Sequence, residues 1–396
     1  MEIVQRTGGW HRREILRLAA AGAIGVALPG GRLLSFRKTG AKPLRGIFPI
    51  AHTPFTDSDG LDTALLAKEL EFIDRGRVHG FVWPQMASET LSLTEAERMA
   101  GAEALAAAGK RLRPAVVLGI QGPDVAAMQR YARQAERLGA DAVISLPPSE
   151  NASEQEMLDY YRAVGRATSL PIFVQAVGNI SVDLLVAMSD AVPNLRYAKD
   201  EAGNPLNRVG ELRRRTGDRL KIFSGAHGRT LIEEMRRGFS GSMPAACIAD
   251  LYAATWDLWQ EGKRQQAIEA HGRTLALLAD VFLYGLEGMK YVLCLRGVFR
   301  NATVRRAAAG KGFEGAARIV SGDSSPLDEA AKKALAETVN ALKPWFRAQR
   351  KGVTCAAKLE LRPPLCWRMP VLSGSSEGSF RAAWRPIPAR RLAWMA

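Results

Sequence analysis

The chain has 396 residues, 47% of them apolar and 24% charged, an ordinary balance for a globular protein long enough to bury a sizeable core. Its formal net charge of +15 would suit a nucleic-acid partner, but nine Lys/Arg against two acids lie in residues 1–45 and eight against two in 351–396, which leaves the body 46–350 at only +2. No nucleic acid is therefore expected as a partner, and the runs Arg213–Arg215 and Arg236–Arg237 read as solvated helix faces.

Residues 11–17, His-Arg-Arg-Glu-Ile-Leu-Arg, precede a mostly apolar Ala/Gly-rich run from Leu18 to Leu28. Paired arginines, an apolar residue two positions later and a short apolar stretch resemble a twin-arginine export signal. The run is too short for an ordinary transmembrane helix. Residues 1–45 are expected to be signal and linker, with no clean A-x-A site for cleavage. The protein is then exported, and periplasmic or membrane-anchored; it is cytoplasmic if the signal is not functional.

From Gly46 the pattern alternates. Strands are predicted over Gly46–Pro54, Gly80–Pro84, Pro114–Ile120, Ala142–Leu146, Pro171–Ala176, Leu195–Lys199, Leu220–Ser224 and Gly241–Pro244. Helices follow them over Asp62–Arg75, Thr94–Ala108, Asp124–Leu138, Ser153–Thr168, Val182–Ala191, Pro205–Arg215, Thr230–Arg237 and Ile248–Glu261. Asp62 is placed as an N-cap, Thr94 and Glu97 have capping-box spacing, and Gly139 closes its helix. Strands that alternate with helices pair in parallel through right-handed crossovers, and eight such units fit a (β/α)₈ TIM barrel over 46–262. An open doubly wound sheet usually carries a glycine-rich phosphate loop after its first strand, and Ala51-His52-Thr53-Pro54-Phe55 offers none. Segments 264–300 and 327–348 read as helices, so a C-terminal helical extension is expected over 263–350. The tail 351–396 lacks any period and is expected to be poorly ordered. Among the four cysteines, Cys247 and Cys294 read as small core residues, and a Cys355–Cys366 disulfide is left open. None forms a C-x-x-C pair or a Cys/His zinc spacing, so no metal is expected.

Several segments then match one family in order. Thr53-Pro54-Phe55 with Asp59-Gly60-Leu61-Asp62, the run Ser88 to Arg98, Leu138-Gly139-Ala140-Asp141-Ala142, Tyr197-Ala198-Lys199-Asp200 and Phe223-Ser224-Gly225 resemble successive motifs of the dihydrodipicolinate synthase and N-acetylneuraminate lyase superfamily. The resemblance spans about 46 to 300. It implies that Lys199 is the Schiff-base lysine, that the substrate is a 2-oxo acid, that no cofactor is needed, and that the chain forms a homo-oligomer, a dimer or tetramer. The place of Lys199 suits that chemistry. A lysine at the C-terminal end of a barrel strand points into the mouth, and an amine desolvated there can lose its proton and condense with a ketone. The competing possibility is a lysine held only as the ion-pair partner of Asp200 or Glu201.

The match breaks in two motifs. Where the family carries Gly-Thr-Thr-Gly-Glu, this chain has Gln85-Met86-Ala87-Ser88-Glu89; Gln85 and Ser88 still donate hydrogen bonds. Where the family carries a catalytic tyrosine in a Pro-Tyr-Tyr-like motif, the run is Pro147-Pro148-Ser149, and the basic residue expected just beyond falls near Asn151. Ser149 could orient a water. Tyr197 shares a strand face with Lys199 by period two, and its phenol could replace the missing one. Gln85, Ser88, Glu89, Thr53, Gln175 and His227 are the expected substrate contacts, with His227 also able to act as acid or base.

The reading that follows is a Schiff-base lyase, of aldolase or dehydratase type, acting on a 2-oxo acid or sugar-acid derivative. The alternatives are a small-acid-binding barrel without turnover and a true dihydrodipicolinate synthase, which an export signal would separate from its cytosolic substrate. For the signal, replacing Arg12 and Arg13 by lysine is expected to strand the precursor in the cytoplasm. Cell fractionation checks this, and unchanged localisation would show that the segment is not a twin-arginine signal.

Overall fold

A computed structural model describes residues 41–149, 151–225, 227–305 and 325–347. The Arg12-Arg13 motif, the tail 351–396 and the Cys355–Cys366 pair lie outside the described residues. Strands and helices alternate as β1 (Gly46–Ile47), α1 (Thr63–Arg75), β2 (Gly80–Trp83), α2 (Glu95–Gly109), β3 (Ala115–Gly119), α3 (Val125–Leu138), β4 (Ala142–Ser145), α4 (Glu154–Ala167), β5 (Ile172–Ala176), α5 (Val182–Ala191), β6 (Leu195–Asp200), α6 (Pro205–Thr216), β7 (Lys221–Ser224), α7 (Leu231–Arg236), β8 (Gly241–Ser242) and α8 (Ala249–Gln260). Every pairing is parallel, running in order from β2 to β8 and from β8 to β1. Just beyond β1, Ile50 bridges both Val82 of β2 and Ala245, which closes the ring. The fold is a (β/α)₈ barrel with C-terminal helices.

Local chemistry sets the helix ends. The Asp62 carboxylate accepts from the Leu65 amide, Thr94 and Glu97 form the reciprocal capping box, and Gly139 at φ 77° stops α3. The first strand is shorter than the predicted Gly46–Pro54; Pro49 has no N–H to donate, although its carbonyl accepts from the Val82 amide at 3.0 Å, and an isolated bridge follows at Ile50. The segment read as one helix over 264–300 is two, α9 (Arg264–Leu283) and α10 (Gly285–Leu295), broken where Gly285 takes φ 56°. A last helix, α11 (Glu329–Leu342), ends one residue before Lys343-Pro344. The loop after β2, unassigned from sequence, folds into two 3₁₀ turns, Met86–Ser88 and Thr90–Ser92.

Two apolar layers hold the barrel. The outer layer lies between strands and helices, and Cys247 is buried in it as expected. The inner layer fills the barrel itself with Phe48, Ile50, Val82, Val117, Ile144, Phe173, Phe223 and Met243, so the centre is packed and is not a pore. Its aromatic floor joins Phe48 edge-on to Phe223, with centroids 5.3 Å apart, and Phe173 edge-on to Phe223 at 5.2 Å. Gly80 makes room for this floor, because a Cβ there would lie 2.2 Å from the Phe48 ring.

The C-terminal helices are tied to the barrel by buried charge. Arg296, just past α10, donates through both terminal nitrogens to Asp250 of α8 at 2.8 and 2.7 Å, and also to the Cys247 carbonyl at 2.7 Å. Its guanidinium lies 3.8 Å from the Phe346 ring centre and 4.5 Å from that of Phe72. The runs Arg213–Arg215 and Arg236–Arg237 sit on helix surfaces, with Arg215 reaching Asp183 at 2.5 Å.

Overpacking the floor should be costly. Gly80→Ala is expected to lower stability by about 1–3 kcal/mol in chemical denaturation. Combining it with Phe48→Leu, which relieves the ring, should recover part of that loss; simple addition of the two penalties would show that the contact is not the cause.

Candidate active site

At the C-terminal end of the barrel a cavity of about 550 Å³ opens, and its polar wall includes Gln85, Asn151, Gln175, Lys199, Glu201 and His227. Strand alternation on β6 builds its centre. Ala198 and Asp200 face outward, where Asp200 is fully buried and pairs with Arg208 at 3.4 Å. Burial pushes the Asp200 carboxyl up to about 6, against the opposing pull of Arg208. Asp200 is thereby ruled out as the partner of Lys199.

Lys199 turns inward and is only 5% exposed. Its Nζ lies 3.0 Å from Glu201 Oε2, the next residue of the same parity. Glu201 is itself held from both sides. Gln175 Nε2, on the adjacent strand in register with Lys199, donates to Glu201 Oε2 at 2.6 Å. Gly225, past the end of β7, leaves space for it, since a Cβ there would stand 2.2 Å from Glu201 Cγ. From sequence, Glu201 is expected only as a competing ion-pair partner. The structure places that ion pair inside the cavity. Period two was the available signal, because it puts residues 199 and 201 on one face.

Tyr197 does face into the barrel, as period two requires, but it does not reach the cavity. Its ring stacks on Phe173 with centroids 4.4 Å apart and meets Phe223 edge-on at 6.1 Å. It belongs to the aromatic floor, one side-chain layer beneath Lys199. Burial raises its phenol pKa, with nearby Arg196 pulling the other way. Ser149 is half-buried and does not line the cavity either, whereas Asn151 does.

The loop after β2 is fastened from below. Trp83 Nε1 donates to Thr53 Oγ1 at 3.0 Å, the Thr53 hydroxyl donates to the Ser88 carbonyl, and the Ser88 hydroxyl donates to the Ala51 carbonyl. Thr53 and Ser88 thus hold the loop and do not touch the cavity. Gln85, Met86 and Ala87 are the residues of this loop on the cavity wall. The Met86 and Ala87 amides make no hydrogen bond among the described residues, which leaves two donors at the wall.

Glu89 points away from the cavity. Held at φ 57°, it forms an ion pair with Lys290 of α10 and accepts from the Arg305 amide at 2.7 Å. Burial raises its pKa and Lys290 opposes that rise; burial lowers the Lys290 pKa, which Glu89 counters. Lys290 also donates to the Thr303 carbonyl at 2.6 Å. Glu89 is therefore a strut between the barrel loop and the C-terminal helices.

His227 lies on the cavity wall at φ 52°, with its carbonyl accepting from the Tyr252 hydroxyl at 2.7 Å and its ring edge-on to Phe282 at 4.7 Å. Burial, then the charges of Lys199 and Arg229, push it down to about 4, so it is neutral near pH 7. His52, fully buried, is pushed to about 3 chiefly by burial. Among the described residues no group of three or more His, Cys, Asp or Glu is placed to hold a metal ion.

Residues 43–312 match the family model of the dihydrodipicolinate synthetase family. The chain belongs to that family. It is similar to L-2-keto-3-deoxyarabonate dehydratase of Azospirillum brasilense, with 27% identity over 59% of this chain and 78% of the relative. It is also similar to 4-hydroxy-tetrahydrodipicolinate synthase of Methanococcoides burtonii, with 26% identity over 60% of this chain and 82% of that one. The fold is similar to the crystal structure of dihydrodipicolinate synthase from Rhodopseudomonas palustris, with a TM-score of 0.63 and 23% identity over 75% of this chain and 97% of that chain. Within the dihydrodipicolinate synthetase family frame, the lysine of Tyr197-Ala198-Lys199-Asp200 stands at the cavity, where the first departing motif contributes Gln85, Met86 and Ala87 and the residue just beyond the second contributes Asn151.

Breaking the strut should destabilise the protein. Lys290→Met leaves the Glu89 carboxylate buried without its partner and is expected to cost about 3–5 kcal/mol. The double variant Glu89→Gln/Lys290→Met should cost clearly less than the two single changes added together. Urea unfolding of the four proteins provides the cycle.

Proposed function

We propose that the cavity is the site of a Schiff-base lyase, of dehydratase or aldolase type, that acts on a 2-oxo acid or sugar-acid derivative through Lys199. The observation that carries this reading is a lysine buried at the C-terminal end of a barrel strand, inside the cavity, with a carboxylate 3.0 Å from its nitrogen. A paired carboxylate at that distance can take the proton that the amine must shed before it attacks a ketone. The amine adds to C2, the ketone oxygen leaves as water, and the iminium draws electrons from C3. A proton then leaves C3 and a hydroxyl leaves C4, together one water; in the aldolase branch the C4 hydroxyl gives up its proton as the C3–C4 bond breaks, C4 departs as an aldehyde, and the enamine left behind takes a proton at C3. Hydrolysis of the imine returns the amine.

Glu201 is the nearest group able to carry these protons, held in place by Gln175. Neutral His227 offers a further acceptor or donor at the wall. The Met86 and Ala87 amides, with no other partner among the described residues, supply donors for the substrate's C1 carboxylate. The name of the dehydratase relative supports the carbon–oxygen branch. A homo-oligomer, dimer or tetramer, remains part of this proposal, supported by the family resemblance, and so does twin-arginine export, supported by Arg12-Arg13.

Lys199→Ala is expected to abolish turnover and borohydride trapping of a 2-oxo acid while the protein stays folded. Glu201→Gln should slow the chemical step by about 10²–10⁴-fold, the usual scale for one general acid or base. Tyr197→Phe should leave the rate within a few-fold, because that phenol lies below the cavity. Intact-mass analysis after borohydride and single-turnover rates measure all three. A large loss at Tyr197 with none at Glu201 would reverse the assignment, and an unchanged Lys199→Ala rate would remove Schiff-base catalysis altogether.

A further inference from the structure

The charge and hydrogen-bond inventory of the cavity wall selects among 2-oxo acids. Among the described residues on that wall, Lys199 is the only cation and Glu201 the only carboxylate, and they are already paired. Lys199 is consumed in the iminium, whose positive charge keeps Glu201 as its counter-ion. A substrate's C1 carboxylate lies next to that iminium by covalent connection. A second carboxylate farther along the chain would find no cation on the wall and would face Glu201 in a partly enclosed site, where like charges repel most strongly.

The remaining polar side chains are the imidazole of His227 and side-chain amides. The orientation of the glutamine amides is set by their partners. Gln121 Nε2 donates to the Pro84 carbonyl and to Thr90 Oγ1, each at 3.0 Å, so the Gln121 carbonyl is the end that accepts from Gln85 Nε2 at 3.0 Å. Gln175 must likewise turn its NH₂ to Glu201, because a carboxylate only accepts. Gln85 and Gln175 are 1% and 3% exposed, and both their carbonyls are buried and accept no hydrogen bond among the described residues. Buried acceptors of this kind call for donors. A carboxylate carries none and an alkyl chain carries none, whereas each hydroxyl brings one. At the rim, Asn151 and Asn179 add neutral amides that both donate and accept.

We infer that the substrate is a polyhydroxylated 2-oxo acid with a single negative charge, in which hydroxyl groups and no second carboxylate follow the ketone. This inference rests on the Schiff-base reading above.

Three six-carbon acids separate the possibilities at equal length: 2-keto-3-deoxygluconate with hydroxyls, 2-oxoadipate with a second carboxylate, and 2-oxohexanoate with an alkyl chain; pyruvate serves as the tail-less control. Borohydride trapping on the full-length protein, read as the fraction of Lys199 labelled against concentration, should half-saturate with the hydroxylated acid at a concentration at least about tenfold lower than with either of the others. Gln85→Met should narrow that gap several-fold, read as the ratio of the half-saturating concentrations of the hydroxylated acid and of 2-oxohexanoate. If 2-oxoadipate or 2-oxohexanoate labels Lys199 as well as the hydroxylated acid does, the selectivity is overturned and the Schiff-base reading stands. If none of the four labels Lys199, the Schiff-base reading falls. Calorimetric binding of the same acids then decides the selectivity alone: the same ranking supports it, and an equal or reversed ranking overturns it.

Discussion

A buried lysine and a half-buried glutamate of the same strand parity, 3.0 Å apart, govern the arrangement of the whole site. Two charges withdrawn from water repay their desolvation only with close geometry and further hydrogen bonds. Three consecutive strands supply these. The strand before contributes Gln175, which donates to the same carboxylate oxygen, and the strand after is followed by Gly225, whose missing Cβ gives Glu201 its place. The parallel register that sets Gln175 opposite Lys199, and Lys199 opposite Phe223, is what allows all of them to meet. A slip of one residue would send Lys199 to the helix layer and Asp200 inward.

Around that pair the polar network has been redistributed in a consistent way. The loop after β2 carries a glutamine, a methionine and an alanine on the cavity wall, so its side chains provide one amide and its backbone provides the remaining donors. Its hydroxyl and acid groups serve the scaffold. Thr53, Trp83 and Ser88 link the loop to the first two strands, and Glu89 joins it to Lys290 in the C-terminal helices. The helical extension is thereby mechanically connected to the site without lining its centre. Arg296 adds a second buried connection through Asp250, so two ion pairs of low exposure set the position of the extension against the barrel.

The parts of this protein that were readable in the chain are those governed by local periodicity. The eight strand–helix units, the caps at Asp62 and Thr94 and the stop at Gly139 each depend on residues within one or two turns of each other. The position of Lys199 at the end of a strand was readable for the same reason, and so were Gln85, Gln175 and His227 as residues of strand ends and their loops. What was not readable is depth. Tyr197 and Lys199 share a face, yet only one of them stands at cavity level, because the phenol is taken up by Phe173 and Phe223 from strands far apart in the chain. Glu89 sits beside cavity residues in sequence and turns to a lysine 201 positions later.

The sequence by itself therefore determined the barrel and its strand order, since hydrophobic alternation and the strand–helix rhythm are short-range signals that need no knowledge of the remainder of the chain, while the candidate nucleophile came from the resemblance of its motif to the family's. Only the tertiary structure decided which acid meets that nucleophile and which aromatic does not. Those contacts depend on how strands separated by dozens of residues tilt and stack their inner side chains in layers, and on where the C-terminal helices bring Lys290 and Arg296. A buried charge takes the partner that the closed barrel sets within reach, and sequence adjacency alone does not fix which residue that is.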